Sequence, residues 1–208
     1  MRTFISIFAL AFLSNAAFAQ ASKFEGLNVG VGLAYVQPKI TEKDSVGGHY
    51  TWNNADMIPQ LSLTYNFSLT DKWLLGVGGS YDLSQLNAGT TRGLSGLVKA
   101  TLDDHSSIYL QPTFALDDKS AIYAKVAYHE VKVETVGVAG AGWVPDRFRT
   151  SGLGYGVGYT RLFGKHVFVQ GEIQMVAYDD KRLVVGGVTA VYSLPEETIA
   201  QVTLGYKF

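Results

Sequence analysis

The sequence predicts an all-β fold, an eight-stranded antiparallel up-and-down β-barrel that crosses a membrane, and three observations lead there. Apolar and polar residues alternate with period two through long stretches of the chain. An apolar leader opens it. It closes on QVTLGYKF, in which Val202, Leu204, Tyr206 and Phe208 alternate with Gln201, Thr203, Gly205 and Lys207. Period two marks a strand whose two faces meet unlike media.

The leader reads MRTFISIFALAFLSNAAFAQA. One positive charge, Arg2, precedes an apolar stretch over 4–13, and Ala17, Phe18 and Ala19 form an A-x-A box. A membrane-spanning helix needs about 20 apolar residues, so the stretch is too short to be one and reads as a secretory signal. The expected division is a cleaved signal at 1–19 and a barrel domain at 20–208, with cleavage after Ala21 as the alternative. Without Arg2 the 17 basic residues become 16, against 18 acidic, a balance of −2 that gives nucleic acid no footing as a partner. With no cysteine, disulfide and thiol chemistry are excluded.

The strands follow in order from a spacing. Phe67, Phe114, Arg161 and Phe208 succeed one another at intervals of 47 residues, closing the runs LSLTYNF, IYLQPTF, YGVGYTR and VTLGYKF. Short turns in SLTDK, ALDDKS and LFGKH follow the first three, and new alternating runs start at Trp73, Ala121 and Val167. This is one hairpin rhythm repeated four times, hence eight strands. They are expected at about 24–36, 57–68, 73–84, 107–116, 121–131, 151–163, 167–178 and 198–208. The remaining four linkers, 37–56, 85–106, 132–150 and 179–197, are long and polar. Outer-membrane barrels gather long loops at the extracellular end and short turns at the periplasmic end, which a soluble sandwich has no reason to do.

Alternation alone fits a sandwich as well as a barrel; the aromatics separate them. Phe67, Trp73, Phe114, Phe163 and Phe208 lie at the tight-turn end of the apolar face, and Tyr35, Tyr81 and Tyr128 at its far end. Trp73 and Tyr81 are eight residues apart, about 20 Å of height for a strand tilted by roughly 40°. With the rings included, this approaches the ~25 Å lipid-facing band of such barrels. Two aromatic girdles at that separation are the anchors a bilayer selects.

The polar face holds three ionic groups at mid-strand, Asp82, Lys125 and Glu172. Such groups are tolerable there only when wet or paired. Lys125 and Glu172 therefore either meet across a narrow lumen or each contact water. Gly152, Gly154, Gly156 and Gly158 share that face and leave room for bulky neighbours such as Tyr123 and Phe168. Of four histidines, His49 and His105 are expected in outer loops, His129 near the outer rim and His166 in a periplasmic turn. They make no metal constellation, and His129 with Glu130 is the nearest fragment of a catalytic pair. No cofactor is expected.

The leader, the eight strands, the long outer loops and the closing GYKF together resemble the small outer-membrane barrel superfamily that includes OmpA-like transmembrane domains and opacity-type proteins. The resemblance implies a place in the outer membrane of a Gram-negative bacterium, among lipid and lipopolysaccharide. It implies that the assembly machinery reads Leu204, Tyr206 and Phe208 as an address. With nothing after Phe208, the peptidoglycan-binding module of some OmpA-type proteins is not expected. The expected work is structural or adhesive, done by outer loops in which Tyr50, Trp52, Trp143 and Phe148 stand beside Lys39, Lys43, Arg147 and Arg149. Exposed aromatic and basic groups suit lipopolysaccharide, glycans or another protein. A narrow porin-like channel is the alternative, disfavoured because side chains just fill an eight-stranded interior. A lipid-modifying enzyme comes third.

Overall fold

The computed structural model describes residues 20–93, 96–138, 145–185 and 188–208. The expected signal at 1–19 and Trp143 fall outside the described residues. After a 3-10 turn at Ala21–Lys23 come β1 (Gly26–Asp44), β2 (His49–Trp52), β3 (Asp56–Ser68), β4 (Trp73–Asp82), β5 (Leu86–Gly93) and β6 (Gly96–Ala115). They are followed by β7 (Ser120–Val138), β8 (Asp146–Phe163), β9 (Val167–Tyr178), β10 (Lys181–Val185) and β11 (Val188–Lys207). Eight of these close a ring in the order β1, β3, β4, β6, β7, β8, β9, β11 and back to β1, every pair antiparallel. The closing seam pairs Asn28 with Lys207 and Val31 with Leu204, and the Phe208 N–H donates to the Leu27 carbonyl at 2.8 Å. Closure leaves no strand edge unpaired in the ring, as a lipid surround requires.

The tight turns are locally encoded. Thr70 Oγ1 accepts from the Trp73 N–H at 3.1 Å, and Asp117 Oδ1 from the Lys119 N–H at 2.7 Å. Gly164 takes a positive φ of 74° in the third turn, which a side chain would resist. Around the ring, Val31, Leu63, Val77, Leu110, Val126 and Val157 point outward and are exposed, while Gln60, Gln111, Thr113, Gln174, Gln201 and Thr203 point inward and are buried. Phe67, Trp73, Phe163 and Phe208 are exposed at the turn end, and Tyr35, Tyr81 and Tyr128 at the other. Phe114 is partly covered, its ring edge-on to Trp73 at 5.0 Å.

Above the tyrosines the structure departs from the expected long loops. Most of 37–56, 85–106, 132–150 and 179–197 is strand, continuing the barrel strands outward or pairing with their extensions. Ring strands β3, β4 and β9 stop near the tyrosine level, at Asp56, Asp82 and Tyr178, which divides what continues into two sheets. One is β5–β6–β7–β8 and the other β2–β1–β11–β10. Between them lies an apolar core that includes Ile40, Trp52, Val98, Val133, Phe148 and Tyr192. The barrel therefore opens into a small sandwich, a cap standing roughly 20 Å above the tyrosines if its strands keep the barrel's tilt.

Two bulges mark the change. In β6, Asp103 pairs with Lys132 and Ser106 with Glu130, leaving one extra residue, and Asp104 takes φ = 49°. Asp tolerates the left-handed region better than most side chains. Below the bulge the odd residues Ser107, Tyr109, Gln111 and Thr113 are buried; above it the even residues Val98, Ala100 and Leu102 are. In β11 the same shift, between the Lys39–Glu196 and Thr41–Ser193 pairs, moves the buried set from Gln201 and Thr203 to Leu194, Tyr192 and Ala190.

Candidate functional site

A passage through the barrel would have to cross four levels. At the periplasmic mouth Ala21, Phe24, Leu74, Ala115, Ala121, Leu162 and Phe168 pack into an apolar floor. The 3-10 turn supplies its first member, tied by the Ala21 N–H to the Asp71 carbonyl at 2.9 Å.

At mid-height the structure brings Lys125 of β7 and Glu172 of β9 together, Nζ to Oε2 at 2.5 Å, with both side chains buried. Tyr123 donates to the same Glu172 oxygen at 2.8 Å, and Gln170 Nε2 donates to Tyr123 Oη at 2.5 Å. The ammonium also lies 4.2 Å from the centre of the Tyr109 ring, whose hydroxyl bonds Thr64 Oγ1 at 2.7 Å. These large groups fit because β8 presents glycine opposite them: a Cβ at Gly158 would collide with the Tyr123 ring, and one at Gly154 with His129. Phe168 is accommodated elsewhere, against Gly205 and Gly30. The space left beside Lys125, Tyr109 and Gln111 is about 30 Å³, room for a water or two.

Asp82 is not part of that pair. It belongs to a third level at the outer tyrosines, where Gln60 Nε2 donates to its Oδ1 at 2.8 Å and His105 Nδ1 lies 2.7 Å from its Oδ2. His105 Nε2 meets His129 Nδ1 at 2.9 Å, and His129 Nε2 meets Gln174 Nε2 at 2.5 Å. The imidazole planes differ by 7° with centroids 5.1 Å apart, so with a nitrogen contact this short the rings lie edge to edge rather than face to face. Every contact is met if both imidazoles are neutral and each carries its proton on Nδ1, with the Gln174 amide donating into the chain. The belt joins β3, β4, β6, β7 and β9 across the mouth. The sequence reading missed it by placing His105 in a loop; the parity break between Leu102 and Ser107 was the available signal.

The fourth level is the core of the cap. Tyr50, Trp52 and Phe148, expected as exposed loop aromatics, are buried inside it, because the apolar side of these strands faces the opposite sheet and not water. Trp52 Nε1 donates to the Val98 carbonyl at 3.0 Å, joining the sheets, and Phe148 packs on Tyr192 at 4.9 Å. Lys39, Lys43, Arg147 and Arg149 point outward. Arg147 pairs with Glu134 at 2.6 Å, and Arg149 with Glu130 at 2.9 Å and Asp104 at 3.1 Å. Near the top, Tyr192 donates to Asp146 Oδ2 at 2.5 Å beside the buried Glu42, whose Oε2 has no protein partner. Burial pushes the Glu42 carboxyl up to about 7; a hydrogen bond to Tyr192 opposes this, and Asp146 and Asp44 add to it.

On one side of the cap the sheets are stitched together, the Asn54 N–H donating to the Ala88 carbonyl at 2.9 Å and Asn54 Nδ2 to the Asn87 carbonyl at 3.0 Å. On the other side no strand ladder joins β8 to β10 among the described residues, so both present free edges above Ser151 and Asp179. A cleft of about 240 Å³ lies at the foot of this seam, between Arg149, Ser151, Asp179 and Lys181.

Residues 5–208 match the family described as Outer membrane protein beta-barrel domain. The chain belongs to that family. It is an integral protein of the Gram-negative outer membrane, which fixes the exposed apolar band as lipid-facing and the cap as extracellular. No curated protein sequence matches it. Among solved structures it is similar in fold to OprG of Pseudomonas aeruginosa, at 12% identity and TM-score 0.60, covering 93% of this chain and 99% of that one. It is similar also to Neisserial surface protein A, at 12% identity and TM-score 0.53, covering 88% and 98%. The attachment invasion locus protein Ail of Yersinia pestis, solved with the heparin analogue sucrose octasulfate, is 17% identical with TM-score 0.50, covering 88% and 99%.

Proposed function

We propose that this barrel is a non-enzymatic surface-interaction protein, with the membrane part serving as the mount for an adhesive cap. The observation that supports this reading most is the pair of strand edges, β8 and β10, left without a ladder partner among the described residues and held on a cap with its own apolar core. A free edge is a template for an extended polypeptide, which gains affinity from main-chain hydrogen bonds. The three filled levels of the lumen and the packed cap core above them support the same reading against a channel. Leu204, Tyr206 and Phe208 face outward at the closing seam and serve assembly, in this proposal, as the address of the last strand.

The test is attachment of a non-adherent bacterium expressing the protein to surfaces coated with extracellular-matrix protein. Wild type is expected to attach. Val184→Lys, which puts a charge on the exposed β10 edge, is expected to attach less while keeping heat-modifiable folding. Competition by soluble heparin with no effect of the edge variant would redirect the reading to a polyanion on Lys39, Lys43, Arg147 and Arg149. A large steady conductance of the purified protein in planar bilayers, without attachment, would replace it with the channel.

A further inference from the structure

The periplasmic end carries a feature that neither barrel closure nor the cap uses. Below the apolar floor lies an open basin of about 480 Å³, within the size range of small-ligand sites. Its walls are Lys23 at the end of the 3-10 turn, Lys119 in the β6–β7 turn, Lys165 and His166 in the β8–β9 turn, and Lys207 at the end of β11; its floor is Leu162. One carboxylate, Asp118, faces the four ammonium groups. No ion pair engages any of these lysines among the described residues. The neighbouring acid, Asp117, is occupied in its own turn by the Lys119 N–H. His166 is fixed by Nδ1 to the Lys207 carbonyl at 2.9 Å and by stacking on Tyr206 at 5.2 Å.

We propose that this basin binds the phosphate group of an anionic glycerophospholipid from the periplasmic leaflet. Clustered lysines with no carboxylate partner among the described residues, of which Lys207 donates only to the Glu25 carbonyl at 3.1 Å, suit a phosphate as point charges, whereas planar carboxylate recognition favours the arginine fork, absent from these walls. The rim reaches the bilayer: Lys165 and His166 follow the lipid-facing Phe163, and Lys207 sits between the lipid-facing Tyr206 and Phe208. Interfacial aromatics mark the headgroup level, so a lipid can lay its chains on these rings and turn its headgroup onto the lysines. The apolar Leu162 beneath suits the glycerol end of such a ligand better than a fully hydrated ion.

The test is lipid retention by the purified, folded protein, read by native mass spectrometry from micelles doped with phosphatidylglycerol or phosphatidylcholine. Wild type is expected to keep phosphatidylglycerol in preference. A lysine near a membrane surface favours anionic lipid by about fivefold, so Lys119→Gln with Lys165→Gln should weaken retention by roughly twenty- to thirtyfold. Lys72→Gln, in the neighbouring turn outside the basin, should leave it unchanged. Equal retention of the two lipids by wild type, or an unchanged preference in the double variant, would overturn the proposal. Displacement of the lipid by millimolar inorganic phosphate would overturn the lipid assignment in favour of a free anion.

Discussion

In the lipid-spanning half of β7, Ile122, Val126 and Tyr128 face outward and Tyr123, Lys125 and His129 face inward; in the cap half, Glu130, Lys132 and Glu134 face outward and Val131, Val133 and Thr135 inward. The change falls at the outer tyrosines and recurs in β1, where Val31, Leu33 and Tyr35 give way to Gln37 and Lys39. One strand thus follows opposite rules within a few residues, since apolar groups go where water is not. In the membrane that place is the lipid, and the interior is left to polar groups that satisfy one another. Above it, the place is the gap between two sheets, and the driving force is the ordinary hydrophobic effect. The two halves share backbone but not the origin of their stability.

The sharpest way to break this comparison is to empty the cap core. Trp52→Ala removes a ring that is 1% exposed and its bond to Val98, at a cost of about 3–5 kcal/mol. The expected outcome is a protease-sensitive cap on intact cells above a barrel that keeps its heat-modifiable mobility. Simultaneous loss of both would mean that the halves unfold as one unit. Next comes charge on the outward face. Val77→Arg should cost roughly 2–4 kcal/mol at mid-bilayer, while Thr51→Arg, outward and exposed on the cap, should stay within about 0.5 kcal/mol. Urea titrations in lipid vesicles would measure both, and equal costs would contradict the polarity change.

A smaller effect is expected inside the barrel. Glu172→Ala leaves Lys125 without its carboxylate, which in a dry interior costs about 3–5 kcal/mol; with the lumen cavity beside it to admit water, roughly 1–2 kcal/mol is expected. Planar-bilayer recordings should show little steady conductance for wild type and variant alike, since the apolar floor, the histidine belt and the cap core still close the passage, and a conductance in the variant alone would make the Lys125–Glu172 pair the barrier. The mildest test is pH. Glu42 holds its proton up to about 7 in the folded cap, against a usual value of 4.5. Between these values the folded state binds more protons than the unfolded one, so the Glu42 contribution is whole below 4.5 and declines as pH rises towards 7. Glu42→Gln should flatten that part of a cap-unfolding curve followed by Trp fluorescence, and an unchanged slope would assign it to other groups.

The ring was legible in the sequence because one medium acts on a whole face: the hairpin spacing and the aromatic ends both come from the bilayer. The cap was not, because its segments are polar on average, and their alternation runs in the opposite sense. VKVET and RFRTS are strands by period two, yet the residues read as surface anchors, Tyr50, Trp52 and Phe148, are those the sandwich buries. Composition marked Lys125 and Glu172 as inward but left their contact open, since strand heights are uncertain by a residue or two. The partners of Asp82 depended on a bulge that no composition rule announces.

That bulge gives β6 something like a reading frame. Loss of Asp104 alone would remove the extra residue, leaving the pairs on both sides and the inward set Val98, Ala100 and Leu102 on one unbroken alternation with His105 and Ser107. Loss of one residue in the regular ladder above it, at Thr101 for instance, would leave the chemistry of Val98 and Ala100 unchanged, yet turn them to water and bring Lys99 into the core. Insertions and deletions in this outer segment are therefore filtered by parity before they are filtered by length: away from the bulge even steps pass and odd steps fail, and at the bulge a single residue can go.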